Sequence, residues 1–234
     1  MRLFITGANR GLGFELGKIA LLEGHTVFAG AYAKDSADAL NALRLQNGCK
    51  LEVMDLDITS DRSVDNAIKT MEEKTGALDC LVNNAGILLN KDKMIDEITI
   101  DELRSTFEIN TFGHYRVLKA ALPLLYKGKG PVIINMTSEA SSISNVGVQY
   151  CSYSMSKVAA TMMSQMFSNL LTEKGFKVYA MHPGRMNTEM GRATAQIEPA
   201  ESARGILNII TGKVKPRIEG GVWFINYKGE PMKL

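Results

Sequence analysis

The chain has 234 residues, of which 45% are hydrophobic and 22% are charged, and its formal net charge is +2. This composition is typical of a soluble globular protein, and the charge is too balanced to indicate nucleic acid or a membrane surface as the main partner. Because α/β chains of about 200–250 residues commonly form one domain, we expect a single domain over residues 1–234.

The first residues enter a glycine-rich turn at once, without the apolar stretch and cleavage site of a signal peptide. No apolar run approaches the ~18 residues that span a bilayer. The cysteines, Cys49, Cys80 and Cys151, have neither a paired nor a metal-ligand spacing, and Asp55 and Asp57 lack a third ligand at a sensible distance along the chain. We therefore expect a cytoplasmic protein with no metal site and no membrane association.

Short apolar runs alternate with amphipathic stretches along the whole chain. The runs predict strands over residues 3–6, 26–31, 50–56, 77–82, 131–136, 176–181 and 221–225. The stretches predict helices from the glycine turn to residue 22 and over residues 37–45, 61–73, 100–126 (interrupted near Gly113), 153–173 and 201–210. Continuously apolar strands that are each followed by a helix favour a parallel sheet covered on both faces. The predicted fold is therefore a single-domain α/β protein with a Rossmann-like, doubly wound parallel sheet.

The turn after the first strand, residues 6–13, carries Gly7, Gly11 and Gly13. Gly7 permits a sharp exit from the strand, Gly11 lets the backbone approach a ligand, and Gly13 allows close helix packing. The N–H groups at the start of the following helix suit a pyrophosphate. The spacing G-x-x-x-G-x-G departs from the standard dinucleotide fingerprint, so a glycine turn without a ligand is the alternative. We favour a nucleotide site.

The end of the second strand has no carboxylate before Asp35, where NAD-selective folds place an acid for the ribose 2′-hydroxyl. Lys34 is adjacent, and Arg10 lies inside the glycine turn. These cations favour a 2′-phosphate, and hence NADP(H) over NAD(H), although Tyr32 occupies the position where a second arginine would have made the choice plain.

Tyr153 and Lys157 share one face of a predicted helix, since residues four apart are neighbours. A cation beside a phenol lowers its pKa, so the pair predicts a proton donor and acceptor that works near neutral pH. Tyr150 is a rival tyrosine, but Ser154 stands four residues after it instead of a lysine.

Further motifs follow the strands in order: Asn83-Asn84-Ala85-Gly86 after the fourth, Asn110 in the long helix, Ser138 after the fifth, and His182-Pro183-Gly184 with Thr188 after the sixth. Together with residues 6–13 and Tyr153–Lys157, they resemble the short-chain dehydrogenases/reductases over essentially the whole chain. The segments 181–191 and 221–229 are similar to those of the small branch with C-factor-type and sniffer-type carbonyl reductases.

The resemblance implies a catalytic role for four residues. Tyr153 exchanges a proton with the substrate oxygen, Lys157 lowers the tyrosine pKa and binds the nicotinamide ribose, and Ser138 hydrogen-bonds the substrate oxygen. Asn110 holds a water that links Lys157 to solvent. The implied cofactor contacts are Gly7, Asn9, Arg10, Gly11, Leu12, Gly13, Tyr32, Asp57, Ile58, Asn83, Ala85, Gly86, Tyr153, Lys157, Pro183, Gly184, Met186 and Thr188.

Alternatives remain for several of these positions. Ser141 and Ser142 compete with Ser138, and Asn110 could be satisfied by backbone groups. The asparagines after the fourth strand could be structural, and His182 could shape the Pro-Gly turn without acid–base work.

The predicted function is NADP(H)-dependent hydride transfer between nicotinamide and a small-molecule carbonyl or secondary alcohol, with residues 187–200 as a substrate lid. The alternative is a nucleotide-binding signalling or regulatory protein of the same fold with little turnover. The helix that begins at Tyr153 is apolar on more than one face, which predicts a homodimer or homotetramer.

Overall fold

Seven parallel strands form one sheet in the computed structural model, which describes residues 1–32, 38–191 and 195–234. The spatial order is β3-β2-β1-β4-β5-β6-β7, so the sheet grows outward in both directions from the pair β1 and β4. The strands are β1 (Arg2–Thr6), β2 (Thr26–Ala31), β3 (Leu51–Asp55), β4 (Cys80–Asn83), β5 (Val132–Met136), β6 (Lys177–His182) and β7 (Phe224–Asn226). The predicted doubly wound α/β fold is confirmed.

Helices cover both faces of this sheet. They are α1 (Gly11–Leu22), α2 (Asp38–Asn47), α3 (Asp61–Thr75), α4 (Ile100–Phe107), α5 (His114–Tyr126), α6 (Cys151–Leu171) and α7 (Pro199–Ile210). Alternate residues of a strand enter different cores: Leu3 and Ile5 pack in the cluster that includes α1 and α7, and Phe4 packs in the cluster that includes α3 and α5. Burial on both faces explains why the strands are apolar without alternation.

Two predicted strands are wrong at their N-terminal ends. Strand β4 begins at Cys80, because the Leu78 N–H donates to the Leu124 carbonyl of α5 and not to a neighbouring strand. The last strand begins at Phe224 rather than at residue 221, because Gly221 turns the backbone at a φ of +73°. The predicted start of the second helix, residue 37, lies outside the described residues.

The long helix between β4 and β5 contains the predicted interruption. Thr99 and Glu102 form a capping box at its start. The segment Glu108–Gly113 is a π-helix, a form that often occurs at functional sites. A Cβ on Gly113 would lie 2.7 Å from Ile58 Cδ1, so a larger residue there would require the Ile58 side chain to shift.

The helix α6 packs one side on β6, and its other side is open. Met155, Met162, Met166 and Leu170 are between 47% and 66% exposed along it. Across the described part of the chain, no helix combines the length and apolar character needed to cross a bilayer. Within the same residues, no three His, Cys, Asp or Glu side chains group together in a way that could hold a metal ion.

Candidate active site

The predicted site residues meet at the carboxyl ends of the central strands. Thr6 ends β1, Asn83 ends β4, Ser138 follows β5, and His182 ends β6. Because parallel strands end at one edge of the sheet, motifs that are far apart in sequence are brought together there.

Lys157 is buried against the end of β5. Its side chain is 3% exposed, and its Nζ donates a hydrogen bond of 2.7 Å to the Met136 carbonyl. The same Nζ lies 5.6 Å from the centre of the Tyr153 ring. Burial disfavours the charged ammonium and lowers the pKa of Lys157 to about 8.

Tyr153 is half-buried one helical turn before Lys157, on the first turn of α6. Burial raises the pKa of its phenol, the hydrogen-bonding side chain of Ser138 lowers it, and the negative charge of Glu139 raises it, with a net upward shift. The prediction that Lys157 lowers the pKa of Tyr153 is therefore wrong for this arrangement. The physical reason is that the ammonium is directed at Met136 rather than at the phenol oxygen.

Ser138 begins a short helical turn, and its Oγ accepts a 3.1 Å hydrogen bond from the Ala140 N–H. The competing serines point elsewhere. Ser141 is fully buried and accepts from Thr161 Oγ1 at 3.0 Å, while Ser142 Oγ is paired with Ser144 Oγ at 2.9 Å. Ser138 is thus the one of the three that interacts with the phenol of Tyr153.

Asn110 is fully buried within the π-helix. Its Oδ1 accepts from the Ile87 N–H at 2.9 Å, and its Nδ2 donates to the Ile87 carbonyl at 2.9 Å and to Ser156 Oγ at 3.1 Å. Ser156 in turn donates to the Tyr153 carbonyl at 2.7 Å. Backbone groups therefore satisfy most of the hydrogen bonds of the Asn110 side chain, as the alternative expected. Its role in a water relay stays a prediction. Ser156 itself was missed, since only its place beside Lys157 could have indicated it.

The residues at the end of β4 make structural contacts, as the alternative interpretation of the asparagines expected. Asn83 Nδ2 donates to Asn135 Oδ1 at 2.9 Å and to the His114 carbonyl at 3.0 Å, so this fully buried side chain ties β4 to β5 and α5. His114 Nε2 donates to the Ala85 carbonyl at 2.7 Å. Gly86 lies beside the catalytic residues, since a Cβ there would be 3.2 Å from Asn110 Oδ1 and 3.6 Å from Lys157 Nζ.

The glycine turn has the geometry of a phosphate cradle. Gly7 has a φ of +62°, and a Cβ there would lie 2.8 Å from the Ala85 Cα. A Cβ on Gly13 would lie 2.4 Å from the Gly7 carbonyl oxygen, whereas Gly11 faces open space apart from Thr188. The N-terminus of α1 has no side-chain cap, so its first N–H groups point at this space. These features fit a dinucleotide pyrophosphate.

Thr6 couples this turn to β4. Its hydroxyl accepts hydrogen bonds of 3.0 Å from the backbone N–H groups of both Asn84 and Ala85. Asn84 Nδ2 returns to the Thr6 and Gly7 carbonyls. This reciprocal bonding holds the glycine turn in place, in line with the structural alternative for Asn84, whereas no role was predicted for Thr6.

The remaining predicted cofactor contacts border the same groove. Asp57 Oδ1 accepts from the Thr59 N–H at 2.8 Å, next to the buried Ile58. Leu12 is a core residue of α1, so only its backbone faces the turn. Tyr32 is exposed at the end of β2, beside residues 33–37, which include Lys34 and Asp35 and lie outside the described residues.

The loop after β6 forms the other wall. Ser202 of α7 donates to the Pro183 carbonyl at 2.6 Å, and Gly184 has a φ of +89°. The Thr188 N–H donates to the Met186 carbonyl at 2.9 Å. Met186 pairs with Ile197, which closes the base of the predicted lid. The helix α7 begins at Pro199, so the last residues of the predicted lid lie in its first turn.

An ion pair joins the lid to the glycine turn. Arg10 Nη1 lies 2.6 Å from Glu189 Oε2, and both side chains are exposed. Asn9 lies beside Arg10 in the turn. The predicted lid therefore contacts the glycine turn through Glu189, next to the expected position of the pyrophosphate.

The model of the short chain dehydrogenase family matches residues 2–198, most of the chain. The chain belongs to that family and is an NAD(P)-dependent oxidoreductase of this class. The resemblance inferred from the motifs is confirmed.

Solved structures of carbonyl reductases superpose over the full length. The NADPH-bound carbonyl reductase from chicken fatty liver is 28% identical with a TM-score of 0.89, covering 100% of this chain and 98% of that one. The carbonyl reductase Sniffer of D. melanogaster is 29% identical with a TM-score of 0.89, covering 100% and 99%. An NADPH-dependent pterin aldehyde reductase of Arabidopsis thaliana is 32% identical over 189 residues, which is 80% of this chain and 76% of that protein.

Proposed function

We propose that this protein is an NADP(H)-dependent carbonyl reductase that uses Tyr153 as its general acid and base. The observation that carries the proposal is the convergence of Ser138, Tyr153 and Lys157 at the strand edge, directly beside the glycine turn. A proton donor and a nucleotide cradle at one edge are what hydride transfer to a carbonyl requires.

When bound, the cofactor supplies the hydride, and the chain's own residues handle the proton. The raised pKa of Tyr153 keeps its phenol protonated near neutral pH, so it can donate to the oxygen of a reduced carbonyl. Ser138 donates a second hydrogen bond to that oxygen as its negative charge develops. Lys157 would hold the ribose of the bound cofactor.

The choice of NADP(H) rests on Arg10. Its guanidinium lies at the mouth of the glycine turn, where it can bind a 2′-phosphate in place of Glu189. The chicken carbonyl reductase is described as NADPH-bound and the Arabidopsis relative as NADPH-dependent, which supports the same choice here. Both are named as reductases of carbonyl compounds, which supports a small-molecule carbonyl as substrate.

The exposed apolar side of α6 supports a homodimer or homotetramer. Met155, Met162, Met166 and Leu170 line it, and a second copy of the same helix would bury them by two-fold symmetry. Sedimentation equilibrium tests this: we expect wild type to dimerise or tetramerise and Met162→Glu/Met166→Glu to be monomeric. A monomeric wild type would contradict it. We also propose that the protein is located in the cytoplasm.

The decisive experiment compares two tyrosines. NADPH consumption is measured with a panel of ketones, aldehydes and quinones for wild type, Tyr153→Phe and the control Tyr150→Phe, which removes the exposed rival hydroxyl. We expect Tyr153→Phe to lose at least about a hundredfold in kcat/KM and Tyr150→Phe to keep wild-type rates. Equal rates for wild type and Tyr153→Phe would reject the mechanism, and NADPH binding without any turnover would favour the signalling alternative.

A further inference from the structure

A charged cleft of about 200 Å³ lies beside the loops that follow β5 and β6, where the charge of Glu139 is near enough to raise the pKa of Tyr153. The proposed function assigns this cleft no role. Glu139 directly follows Ser138, and Arg185 directly follows Gly184, so both sides of the cleft are continuous with the site. The other lining residues are His182 at the end of β6, Gln196 and Ile197 at the base of the predicted lid, and Asn226, Tyr227, Lys228 and Glu230 near the C-terminus.

Glu139 and Arg185 form a two-point ion pair in this cleft. Arg185 Nε donates to Glu139 Oε1 at 2.6 Å, and Nη2 donates to Oε2 at 3.1 Å. The pair is only partly exposed, with 33% of the Glu139 side chain and 43% of the Arg185 side chain accessible. A planar guanidinium matches a carboxylate in this geometry better than it matches most other groups.

The backbone holds both partners in place. The Glu139 N–H donates to His182 Nδ1 at 3.1 Å, which leaves the Glu139 side chain directed across the cleft. The Arg185 carbonyl accepts from the Gln196 N–H at 2.7 Å and from the Ile197 N–H at 3.2 Å. The ion pair therefore spans from the loop of Ser138 to the base of the lid.

The other two charges of the cleft already have contacts. Glu230 Oε2 accepts from Asn226 Nδ2 at 2.7 Å, and Lys228 Nζ lies 5.5 Å from the centre of the Tyr227 ring. Charges of both signs line the cleft in equal number, so it offers no net attraction for an ion.

We propose that Glu139 and Arg185 determine substrate specificity by excluding ions of either sign, so that this enzyme acts on uncharged carbonyl compounds. A substrate carboxylate must compete with Glu139 for Arg185, and a substrate ammonium must compete with Arg185 for Glu139. Binding of either ion leaves Glu139 or Arg185 partly buried without its partner. The free-energy cost of losing that partner disfavours the charged substrate. A neutral substrate leaves the pair intact. The inference rests on the proposed carbonyl chemistry.

The test uses three ketones of one shape: methyl para-acetylbenzoate (neutral), para-acetylbenzoate (anion) and para-(aminomethyl)acetophenone (cation). Their kcat/KM values are measured with NADPH for wild type, Glu139→Gln, Arg185→Gln and the double variant. Ratios of ion to ester are compared, because any change in the Tyr153 pKa affects the three ketones alike.

Wild type is expected to prefer the ester over each ion by about tenfold or more. Glu139→Gln releases Arg185 and raises the anion-to-ester ratio about tenfold, and Arg185→Gln raises the cation-to-ester ratio by a similar factor. In the double variant, most of the preference for the ester over the anion and over the cation is expected to be lost. Ratios that stay within about threefold of wild type in all variants overturn the inference.

Matched controls come from Glu72→Gln and Lys127→Gln, which remove the same charges from a surface pair between α3 and the C-cap of α5, outside the site. Both should leave the ratios unchanged, and thermal unfolding confirms that each variant is folded. Calorimetric binding of the corresponding secondary alcohols to the NADPH complex gives the same ratios without turnover. No turnover with any ketone would reject the proposed function, whereas unchanged binding ratios would reject the role of this ion pair.

Discussion

The ammonium of Lys157 is buried and donates to the carbonyl of Met136 at 2.7 Å, which anchors α6 to the end of β5. A charge in this position costs folding free energy, since burial lowers the pKa of Lys157 from 10.5 to about 8. The presence of a lysine at this costly position is consistent with a functional role, such as binding of the cofactor in the proposed active site.

Replacing Lys157 by Met should make the protein more stable and inactive. Below pH 8 the native state must keep a buried charge that the unfolded chain exposes to water, so wild type loses up to about 3 kcal/mol relative to the variant. Between pH 8 and 10.5 the unfolded state binds more protons than the native state, so the stability of wild type rises with pH. Urea unfolding across this range measures the difference, and a constant difference would contradict the prediction.

Acid should destabilise the protein through His114. Burial lowers the pKa of His114 to about 3 from an ordinary 6.5, so the unfolded state binds more protons between these values. The stability that the neutral imidazole contributes is present above pH 6.5 and is lost as the pH falls toward 3. His114→Gln keeps a donor for the Ala85 carbonyl but does not titrate. Its free energy of unfolding should therefore fall less steeply in acid than that of wild type; parallel curves would argue against this origin.

Arg10 should select the cofactor. Arg10→Gln removes the cation that we place on the 2′-phosphate, so the Kd for NADPH should rise about tenfold while that for NADH changes little. Arg44→Gln, which removes a cation from the last turn of α2, serves as the control. Fluorescence titration of both cofactors measures the effect. Equal weakening of NADPH and NADH binding would show that Arg10 does not read the phosphate.

Gly13→Ala should disrupt the turn. The new Cβ would lie 2.4 Å from the Gly7 carbonyl oxygen and 2.6 Å from Asn84 Nδ2, and the backbone contact cannot move aside. We expect a loss of about 1–3 kcal/mol in stability and weaker NADPH binding. Gly147→Ala, where a Cβ meets nothing within 4 Å, should stay within about 0.5 kcal/mol of wild type. Thermal unfolding and cofactor titration distinguish them; similar losses in both variants would exclude close packing as the cause.

Local pattern in the sequence was sufficient for the fold. Uninterrupted apolar runs such as Leu3–Ile5, glycines at turns and the Thr99–Glu102 capping box depend on neighbours in the chain. The positions of strands and helices along the chain could therefore be inferred from them. The requirement for glycine at positions 7 and 13 could be inferred in the same way, because a tight strand–turn–helix connection leaves no room for a side chain at these positions. Errors occurred where distant partners decided the backbone hydrogen bonds, as when the Leu78 N–H bonded Leu124 of α5 instead of extending β4.

Spacing on α6 placed Tyr153 and Lys157 on one face, and the order of motifs identified the family. The direction of the lysine charge was decided by tertiary structure, because the Met136 carbonyl that receives it belongs to a strand 21 residues away. The pair Glu139–Arg185, 46 residues apart, exists only because β5 and β6 end side by side. Sequence pattern thus determined which groups reach the edge of the sheet, and packing between strands decided which of their charges meet, since pKa values depend on burial and on partners contributed by other elements.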